Sequence, residues 1–523
     1  MPLTNRRAAV LAVLAGGVHA CALAPVVAQW GQGLPALMQS LALSALIWLL
    51  VHSETTWQGA WRAWLYGSVW LLGATGWMFV SLHHFGGLPA WLSALAVYLL
   101  CVALSLYLAA AGWAWVRWRR RHVVADAVLW AALWLLAELA RAWLFTGFPW
   151  GASGYGLIDS PLVALAPWLG VYGMGAVWAG LLTGLVLAVR RQRRMVLAWL
   201  GCLVALALGG GWTVRTHTQP HAAPLEVDLL QSNIPQDEKF SPARQWDALN
   251  WHAQTLLGSQ ADLVVAPETA IPLLPDQLPD GYWASLRQGF LGERHALIGI
   301  PLGDFEQGYT NSVVGLSGPA AQGGGAEEFY RYDKHHLVPF GEFIPWGFRW
   351  FVNLMNMPLG DFSRGPLNAP SFGVHGQRVA PTICYEDLFG EEIAARFVNA
   401  ATAPTLMVNV SNLAWFGESV AIHQHLQIAR MRSLEFQLPT VRSTNTGATV
   451  LIDHLGQVRA AMPANTRGVL RVRVQGYAGV TPFAWWAGRW GLLPLACLGV
   501  SLVLLVAWAP IRRARSSPAL DHH

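Results

Sequence analysis

Cys384 is the residue of this chain that is best placed to act as a nucleophile. It lies in the segment Val-Ala-Pro-Thr-Ile-Cys-Tyr-Glu-Asp (379–387), where an apolar run gives way to acidic residues. That pattern predicts a buried strand ending in a turn that presents a thiol. The other four cysteines all lie in long apolar stretches, at Cys21, Cys101, Cys202 and Cys497. Position alone would favour a buried structural cysteine, so the case for a nucleophile depends on the neighbours of Cys384.

Two charged residues stand at the ends of other strand-like runs. Glu268 follows Leu-Val-Val-Ala-Pro, and Lys334 follows Tyr-Arg-Tyr-Asp. Lys334 and Lys239 are the only lysines among the 34 lysine and arginine residues, which indicates that position 334 needs a compact ammonium rather than a guanidinium. Because α/β enzymes place reactive residues where strand ends converge, we expect Glu268, Lys334 and Cys384 to meet.

A glutamate, a lysine and a cysteine together can perform covalent catalysis. A thiol is a weak nucleophile until it is deprotonated, and a carboxylate within hydrogen-bond reach can take its proton. An ammonium then stabilises the thiolate and the oxyanion of a tetrahedral intermediate. The backbone N–H of Tyr385, which follows the nucleophile, is a second candidate oxyanion donor.

The flanks of the chain have the composition of a membrane protein. The chain of 523 residues is 54% hydrophobic and 12% charged, whereas soluble domains have roughly 25% charged residues. We predict eight apolar spans, near 8–27, 35–52, 62–82, 90–116, 123–145, 162–189, 195–214 and 489–509. The first span could instead be read as a cleavable signal, but its His19 and the run of further spans favour an uncleaved helix.

Arginine positions predict the orientation of these spans. Arginines cluster after the fourth, sixth and eighth spans, whereas the loops near 28–34, 83–89 and 146–161 contain no lysine or arginine. By the positive-inside rule both termini are cytoplasmic, and the polar region then faces the periplasm of a bacterium. The net charge of +5 comes from the cytoplasmic loops and tail, so we expect no nucleic-acid partner.

Glu138 and Arg141 lie inside the predicted fifth span at i, i+3 spacing. Charges within a membrane are costly, so they usually pair and usually have a purpose. One interpretation is a structural pair that pins this helix to its neighbours. The other is a polar anchor near the headgroup level, next to the segment Thr-Gly-Phe-Pro-Trp-Gly (146–151).

The polar region between the spans shows the pattern of a layered α/β domain. Strand-like runs are predicted at Glu226–Gln231, Asp262–Ala266, Ala296–Ile300, Asn311–Leu316, Val379–Ile383, Thr405–Val410, Thr440–Thr444, Ala448–Ile452 and Val469–Val474. Helices are predicted at Ala243–Leu257, Glu391–Asn399 and Ala421–Phe436. We therefore expect a membrane domain of about seven helices over 1–217, a catalytic domain over 218–482, and a last span with a cytoplasmic tail over 483–523.

Several of these segments resemble the nitrilase (carbon–nitrogen hydrolase) superfamily. The matching segments are Gln231–Gln236, Ala266–Thr269, Lys334–Pro345, Cys384–Asp387, Asn409–Gly417 and Arg442–Gly447. With its spans, nearly the whole chain resembles the apolipoprotein N-acyltransferases of that superfamily. The resemblance implies an α-β-β-α sandwich that carries a Glu-Lys-Cys triad.

The resemblance also implies roles for individual residues. Glu268 would be the general base, Lys334 the oxyanion stabiliser and Cys384 the acyl carrier. The supporting and pocket-shaping positions of the family correspond to Glu342, Glu386, Tyr385, Trp415 and Phe416. The chain departs from the family at two positions: Phe240 stands where tryptophan is frequent, and Leu413 where aspartate is frequent.

The implied reaction moves an acyl chain from the sn-1 position of a phospholipid to the α-amine of an S-diacylglyceryl-cysteine apolipoprotein. It proceeds through a thioester on Cys384 and needs no cofactor, because conversion of a thioester to an amide is downhill. The resemblance implies a multi-pass protein of the bacterial inner membrane whose partners are phospholipid, diacylglyceryl apolipoproteins and the bilayer. We expect a monomer.

Other polar and apolar segments leave alternatives open. Trp346–Phe362 is unusually apolar, and it would be either a core helix or a mobile lid that dips into the membrane interface. For His335, His336, His423 and His425 we expect structural or surface roles and no metal. Arg430 and Arg432 would form core salt bridges or contact headgroups.

Two other functions are also compatible with the sequence. A membrane-tethered amidase would use the same triad, with water instead of an amine resolving the thioester. A lipid-binding or transport protein with a degenerate domain would need no triad, and the intact triad weighs against it.

Overall fold

The first half of the chain is helical. The computed structural model describes residues 4–24, 27, 31–189, 201, 216–236, 241–304, 308–318, 329–349 and 362–508. Among these residues, seven α-helices of thirteen or more residues precede the sheets: α1 (Asn5–Ala22), α2 (Leu34–Val51), α3 (Thr56–Thr75), α4 (Ala90–Leu104), α5 (Leu106–Trp118), α6 (Val123–Trp143) and α7 (Ala166–Val189). Their facing sides are alanine- and leucine-rich with buried tryptophans, as expected for helices packed into a bundle.

Within the described residues, four to six stretches could cross a membrane. Four are long and apolar enough on their own: Leu34–Val51, Ala90–Trp118, Val123–Thr146 and Pro161–Val189. Two bent pairs qualify if each is one span, namely Thr56–Thr75 with Met78–Phe85 and Pro482–Trp490 with Leu493–Trp508. The first expected span corresponds to α1, which is not among these six, and the expected span near 195–214 lies outside the described residues.

Arginines satisfy helix carbonyls at one end of the bundle. Arg119 donates to the carbonyls of Leu50, Val51 and Ser53, Arg62 to that of Leu49, and Arg120 to that of Val506. The last carbonyls of a helix have no partner within the helix, so these guanidinium groups replace the missing donors. The ends of α2, α5 and the last apolar helix of the chain therefore meet at one arginine-rich end.

The second half of the chain forms two six-stranded sheets. The strands are β1 (Thr218–Pro220), β2 (Leu225–Gln231), β3 (Leu263–Val265), β4 (His295–Asp304), β5 (Gly308–Leu316), β6 (Tyr330–Asp333), β7 (Phe372–Val374), β8 (Gln377–Ile383), β9 (Leu406–Ser411), β10 (Thr440–Thr444), β11 (Val450–Ile452), β12 (Val458–Ala461), β13 (Gly468–Val474) and β14 (Tyr477–Gly479). One sheet has the order β13-β2-β3-β4-β5-β6 and the other β12-β11-β10-β9-β8-β7, while β1 pairs with β14.

The two sheets pack face to face, and helices cover their outer sides. In β2, Leu225, Val227 and Leu229 point into the core between the sheets. Leu230 points the other way, toward the helices α8 (Pro242–Gly258) and α9 (Tyr282–Gly289). Both faces are buried, which explains why these strands are apolar without strict alternation.

The outer side of the second sheet is covered by the remaining helices. These are α10 (Gly390–Ala394), α11 (Ala421–Phe436) and α12 (Pro482–Trp490), and α13 (Leu493–Trp508) follows them into the helical bundle. The layers therefore follow the expected α-β-β-α order. Each strand and helix predicted in this region is present to within a few residues, although only Gly390–Ala394 of the predicted Glu391–Asn399 helix is α-helical and Ala395–Phe397 continues it as a 3₁₀ turn.

Candidate active site

Glu268, Lys334 and Cys384 each follow a strand, and the structure brings them together. Glu268 comes shortly after β3, Lys334 directly after β6 and Cys384 directly after β8. The loop with Glu268 packs closely on β4, where a Cβ on Gly299 would stand 2.3 Å from the carbonyl oxygen of Pro267. Only glycine leaves room for that approach.

Lys334 is held between two carboxylates. Its Nζ lies 2.8 Å from Oε1 of Glu342 and 3.5 Å from Oε1 of Glu268, and the side chain is 1% exposed. Burial alone would lower the pKa of Lys334, but the carboxylates of Glu342 and Glu268 outweigh burial and raise it above its ordinary value. Lys334 is therefore an ammonium at neutral pH.

Asn311 joins the two carboxylates, and sequence reasoning did not single it out. Its Nδ2 donates to Oε1 of Glu268 at 2.8 Å and to Oε1 of Glu342 at 2.7 Å. Two like charges this close would repel each other, and the shared amide and the ammonium of Lys334 offset that repulsion. The only sequence signal was a polar residue within the predicted strand Asn311–Leu316.

The second oxygen of Glu268 shares a backbone donor with the thiol of Cys384. The backbone N–H of Asn412 donates to Oε2 of Glu268 at 2.8 Å, and the same N–H is a hydrogen-bond donor toward the thiol of Cys384. Asn412 thus positions the carboxylate and the sulfur next to each other. Its side chain is held in turn by Gln236 and Asn445.

Cys384 is a buried thiol on a strained backbone. Its φ is +50°, which is uncommon for a residue other than glycine and persists only where the surroundings enforce it. Burial and the carboxylate of Glu268 raise the pKa of the thiol, while Lys334 opposes them. The resting thiol is therefore protonated, so that its reaction requires a base beside it.

Glu386 fixes the turn that carries Cys384. Its Oε1 accepts from the N–H of His335 at 2.7 Å, and its Oε2 accepts from the N–H of Ile383 and the hydroxyl of Tyr332, each at 2.7 Å. One carboxylate therefore ties the turn after β8 to the loop after β6. This accounts for an acidic residue two positions after the cysteine.

Tyr385, Trp415 and Phe416 lie where the sheets meet the helical bundle. The hydroxyl of Tyr385 donates to the carbonyl of Gly147 at 3.2 Å. The carbonyl of Trp415 accepts from the hydroxyl of Ser81, and the ring of Phe416 lies 4.4 Å from that of Trp77. The turn that carries Cys384 therefore lies next to the helical bundle. Phe240 lies outside the described residues, and Leu413 is buried in the core between the sheets.

His425 contacts the backbone carbonyl of Cys384 and remains neutral. Its Nε2 donates to the carbonyl of Cys384 at 3.1 Å, and Arg442 donates to its Nδ1. Burial and the charge of Arg442 hold the pKa of His425 well below its ordinary value. Among the described residues, no group of three or more histidine, cysteine or acidic side chains could hold a metal ion.

The described part of the Trp346–Phe362 segment is limited to its two ends. Trp346 is 98% exposed, and Phe348 packs its ring against Phe340. Phe362 is buried, and its N–H donates to the carbonyl of Glu342. Residues 350–361 lie outside the described residues, so that the choice between a lid and a core helix stays open there.

Comparison with known proteins places the chain in a family. Residues 15–182 match the model of the apolipoprotein N-acyltransferase N-terminal domain, and residues 229–483 match that of the carbon–nitrogen hydrolases. An amidase of the nitrilase superfamily from Nesterenkonia AN1 is 14% identical, with a TM-score of 0.37, over 53% of this chain and 97% of its own. The two family models define a carbon–nitrogen hydrolase domain joined to a helical membrane region.

Full-length relatives specify the family further. An apolipoprotein N-acyltransferase of Verminephrobacter eiseniae is 50% identical over 92% of each chain. That of Ralstonia nicotianae is 44% identical over 98% of this chain and 96% of its own. The chain belongs to the apolipoprotein N-acyltransferase family, and it is a membrane protein.

Proposed function

We propose that this protein is an acyltransferase that moves an acyl chain from a phospholipid to the N-terminal α-amine of S-diacylglyceryl-cysteine apolipoproteins, completing lipoprotein maturation. One observation carries the proposal: Glu268, Lys334 and Cys384 meet where the sheets contact the helical bundle. A site in that place can receive two lipid substrates from the membrane. Both known substrates of such a reaction would be anchored there by their acyl chains.

In the first step Sγ of Cys384 attacks the sn-1 ester carbonyl of the phospholipid. Glu268 takes the thiol proton, the ammonium of Lys334 stabilises the oxyanion, and the N–H of Tyr385 is the second donor. The C–O bond of the ester then breaks, and Glu268 returns the proton to the departing lysophospholipid oxygen. The acyl chain remains as a thioester on Cys384.

In the second step the α-amine of the apolipoprotein attacks the thioester carbonyl. Glu268 takes a proton from the amine and delivers it to the departing sulfur, which restores the thiol. The products are an amide and the free enzyme, and no cofactor is consumed. Glu342 keeps Lys334 in place through both steps, while Tyr385, Trp415 and Phe416 shape the pocket.

The arrangement in the membrane is part of the proposal. The arginine-rich end of the bundle would face the cytoplasm, and the sheets would face the periplasm of the bacterial inner membrane. The site and the ends of α2 and α5 lie at opposite ends of the helices, which supports that orientation. The proposed arrangement also includes eight spans, cytoplasmic termini, domain boundaries at 217 and 482, and a monomeric state.

The exposed aromatic Trp346, at the described start (346–349) of the segment Trp346–Phe362, supports a role for its side chain in admitting acyl chains. Trp346 makes little contact with the described part of the chain, so we expect its replacement by alanine to leave the fold intact. We expect Trp346→Ala to raise the phospholipid concentration needed for half-maximal acylation of Cys384, with an unchanged melting temperature. An unchanged concentration dependence would exclude that role of Trp346.

Intact-protein mass spectrometry tests the proposed function. The native chain, incubated with a defined phospholipid, should gain one acyl mass and release lysophospholipid, and Cys384→Ala should gain none. A diacylglyceryl-cysteine peptide should discharge the adduct as an amide. Discharge by water alone would favour the membrane-tethered amidase, and the absence of an adduct would favour a non-catalytic lipid-binding protein.

A further inference from the structure

Glu138 and Arg141 form a charged pair in the membrane helix α6, far along the chain from the nucleophile. The two side chains are 3% and 4% exposed, and Nη2 of Arg141 lies 3.8 Å from Oε1 of Glu138. Charges buried in a bundle are costly, so the contacts that they make indicate what they are for.

Both charges hold the loop that follows the helix. Oε1 of Glu138 accepts from the N–H of Ser153 at 2.7 Å, and Nη1 of Arg141 donates to the carbonyls of Trp150 at 2.5 Å and Phe148 at 3.4 Å. The loop 147–153 is therefore fixed to α6 at its middle and at its end. We name it the clamped loop.

The clamped loop contacts the active site at two points. The carbonyl of Gly147 accepts from the hydroxyl of Tyr385, the residue after the nucleophile. Gly147 has a φ of +82°, and a Cβ there would meet the carbonyl oxygen of Ala142 at 1.9 Å, so this turn requires glycine. The ring of Trp150 stacks on that of His425 at 5.7 Å, and its Nε1 donates to Gln424 at 2.7 Å.

These contacts form a continuous path from α6 to Cys384. Arg141 holds Trp150, Trp150 holds His425, and Nε2 of His425 donates to the carbonyl of Cys384. The backbone of Cys384 is in the left-handed region, which needs support from its surroundings. A group that fixes the Cys384 carbonyl also fixes the direction of the thiol.

We infer that Glu138 and Arg141 are positioning residues for the proposed acyl transfer, acting on the nucleophile through the clamped loop and His425. This inference rests on the proposed function. It combines the two interpretations of the pair. Glu138 and Arg141 attach the clamped loop to α6, and the clamped loop forms a wall of the active site. Misplacement of a reacting atom by about 1 Å can cost a hundredfold in rate, so a small shift of this loop matters.

The test compares Arg141→Lys with Arg62→Lys. Lysine keeps the charge but cannot hold the carbonyls of Phe148 and Trp150 together. Arg62 is an equally buried arginine of the bundle, and its contacts are with Leu49 and Ser53 at the other end. The rate of Cys384 acylation at saturating phospholipid is measured per active molecule, together with the concentration dependence and the melting temperature.

We expect Arg141→Lys to slow acylation per active molecule by roughly tenfold to a hundredfold with an unchanged concentration dependence. Arg62→Lys should lower the melting temperature and leave that rate within about twofold of native. Equal slowing in the two variants would overturn the inference, as would a native rate in Arg141→Lys. Failure of the native chain to acylate would instead refute the proposed function.

Variants of His425 test the last step of the path. His425→Gln keeps an N–H donor within reach of the Cys384 carbonyl, and it should retain most of the acylation rate. His425→Leu removes the donor and should slow acylation as Arg141→Lys does. If the two residues act through one path, adding Arg141→Lys to His425→Leu slows the reaction little further. Full additivity of the two effects would overturn the inference.

Discussion

At the scale of single residues, Glu268 affects Cys384 in two opposite ways. Its carboxylate adds to the effect of burial in raising the pKa of the thiol and so disfavours the thiolate, yet in the proposed mechanism its oxygen is the base that removes the thiol proton. A protonated resting thiol reacts slowly with stray electrophiles. In the proposed mechanism it reacts quickly only when a bound ester allows proton transfer and carbon–sulfur bond formation to proceed together.

We predict that Glu268→Gln changes two reactions of Cys384 in opposite directions. Loss of the negative charge lowers the pKa of the thiol, so alkylation by iodoacetamide at pH 7.5 becomes faster. Loss of the base slows acylation by phospholipid by roughly a hundredfold or more. Alkylation is followed by mass shift, with Glu342→Gln as a second variant that also removes a negative charge but leaves the base.

A Glu268→Gln variant that slows both reactions would contradict this assignment, because it would indicate a general disturbance of the site. In the native chain the alkylation rate should rise about tenfold per pH unit from pH 6 to pH 8.5, since the pKa of Cys384 lies above that range. A plateau near pH 7 would mean that the thiolate is already formed at rest.

Sequence reasoning located the charged residues of the site but not the amides around them. Glu268, Lys334 and Cys384 stand at the ends of apolar runs, which is a signal that a single sequence contains. Asn311 and Asn412 interact with residues up to 176 positions away, and only the folded chain brings them together. A polar residue in a strand gives no indication of which distant carboxylate it will meet.

At the scale of elements, helix α11 connects the sheets to the membrane helices. Gln424 accepts from the indole N–H groups of Trp77 and Trp150. Arg430 pairs with Asp159, and Glu435 accepts from the N–H of Val171 at the start of α7 while pairing with Arg432. For Arg430 and Arg432 the structure therefore shows salt bridges.

Glu435 makes this junction sensitive to pH. Burial raises its pKa to about 7, and Arg432 only partly opposes that effect. Between the ordinary pKa of a glutamate and pH 7, the side chain of Glu435 is deprotonated in the unfolded chain but still protonated in the folded chain. The folded state therefore loses stability as the pH rises through this window, and above pH 7 this group causes no further loss.

We predict that the melting temperature in detergent falls between pH 5 and pH 7.5, and that Glu435→Gln reduces this fall by roughly 2–6 °C. Glutamine cannot ionise, so the variant lacks this contribution, whereas Asp387, whose pKa burial raises to about 6, still contributes in both proteins. The measurement is differential scanning fluorimetry at both pH values. An equal fall in the two proteins would show that Glu435 does not titrate in this window.

Elements with a periodic or unbroken apolar pattern were predictable, even β3 and β11 with three residues each, whereas short elements without such a pattern were not. The run Ala421–Phe436 was predicted to the residue as a helix. The strands β6, β7 and β12 have three or four residues each, too few for a periodic signal, and their existence depends on pairing with a neighbouring strand. The contacts of α11 with the bundle likewise join residues more than 260 positions apart.

At the scale of the whole molecule, the helices have two chemically different ends. One end carries arginines bound to helix carbonyls, and the other carries the contacts of Trp77, Ser81 and Gly147 with the sheets. Positive charge resists transfer across the inner membrane, so the arginine-rich end should stay in the cytoplasm.

Cysteine labelling tests this orientation. In a background that lacks all five native cysteines, we predict that Ser285→Cys on α9 reacts with a membrane-impermeant maleimide in cells with a permeabilised outer membrane. Glu54→Cys, between α2 and α3, should react only after the inner membrane is lysed. Both positions are exposed in the structure, so accessibility within the protein is matched. Labelling of Glu54→Cys in unlysed cells would show that the orientation is the opposite of the one proposed.

The pairing of β1 with β14 has a consequence for how such a protein could arise. Thr218 lies opposite Gly479, so the chain enters and leaves the sheet region at two adjacent positions, about 5 Å apart in an antiparallel pair. A unit with neighbouring ends can be inserted into another protein without moving its host. A free-standing hydrolase could therefore have been spliced between two helices of an older membrane protein in one genetic event. Its reactive face would then have acquired lipid substrates through its new location.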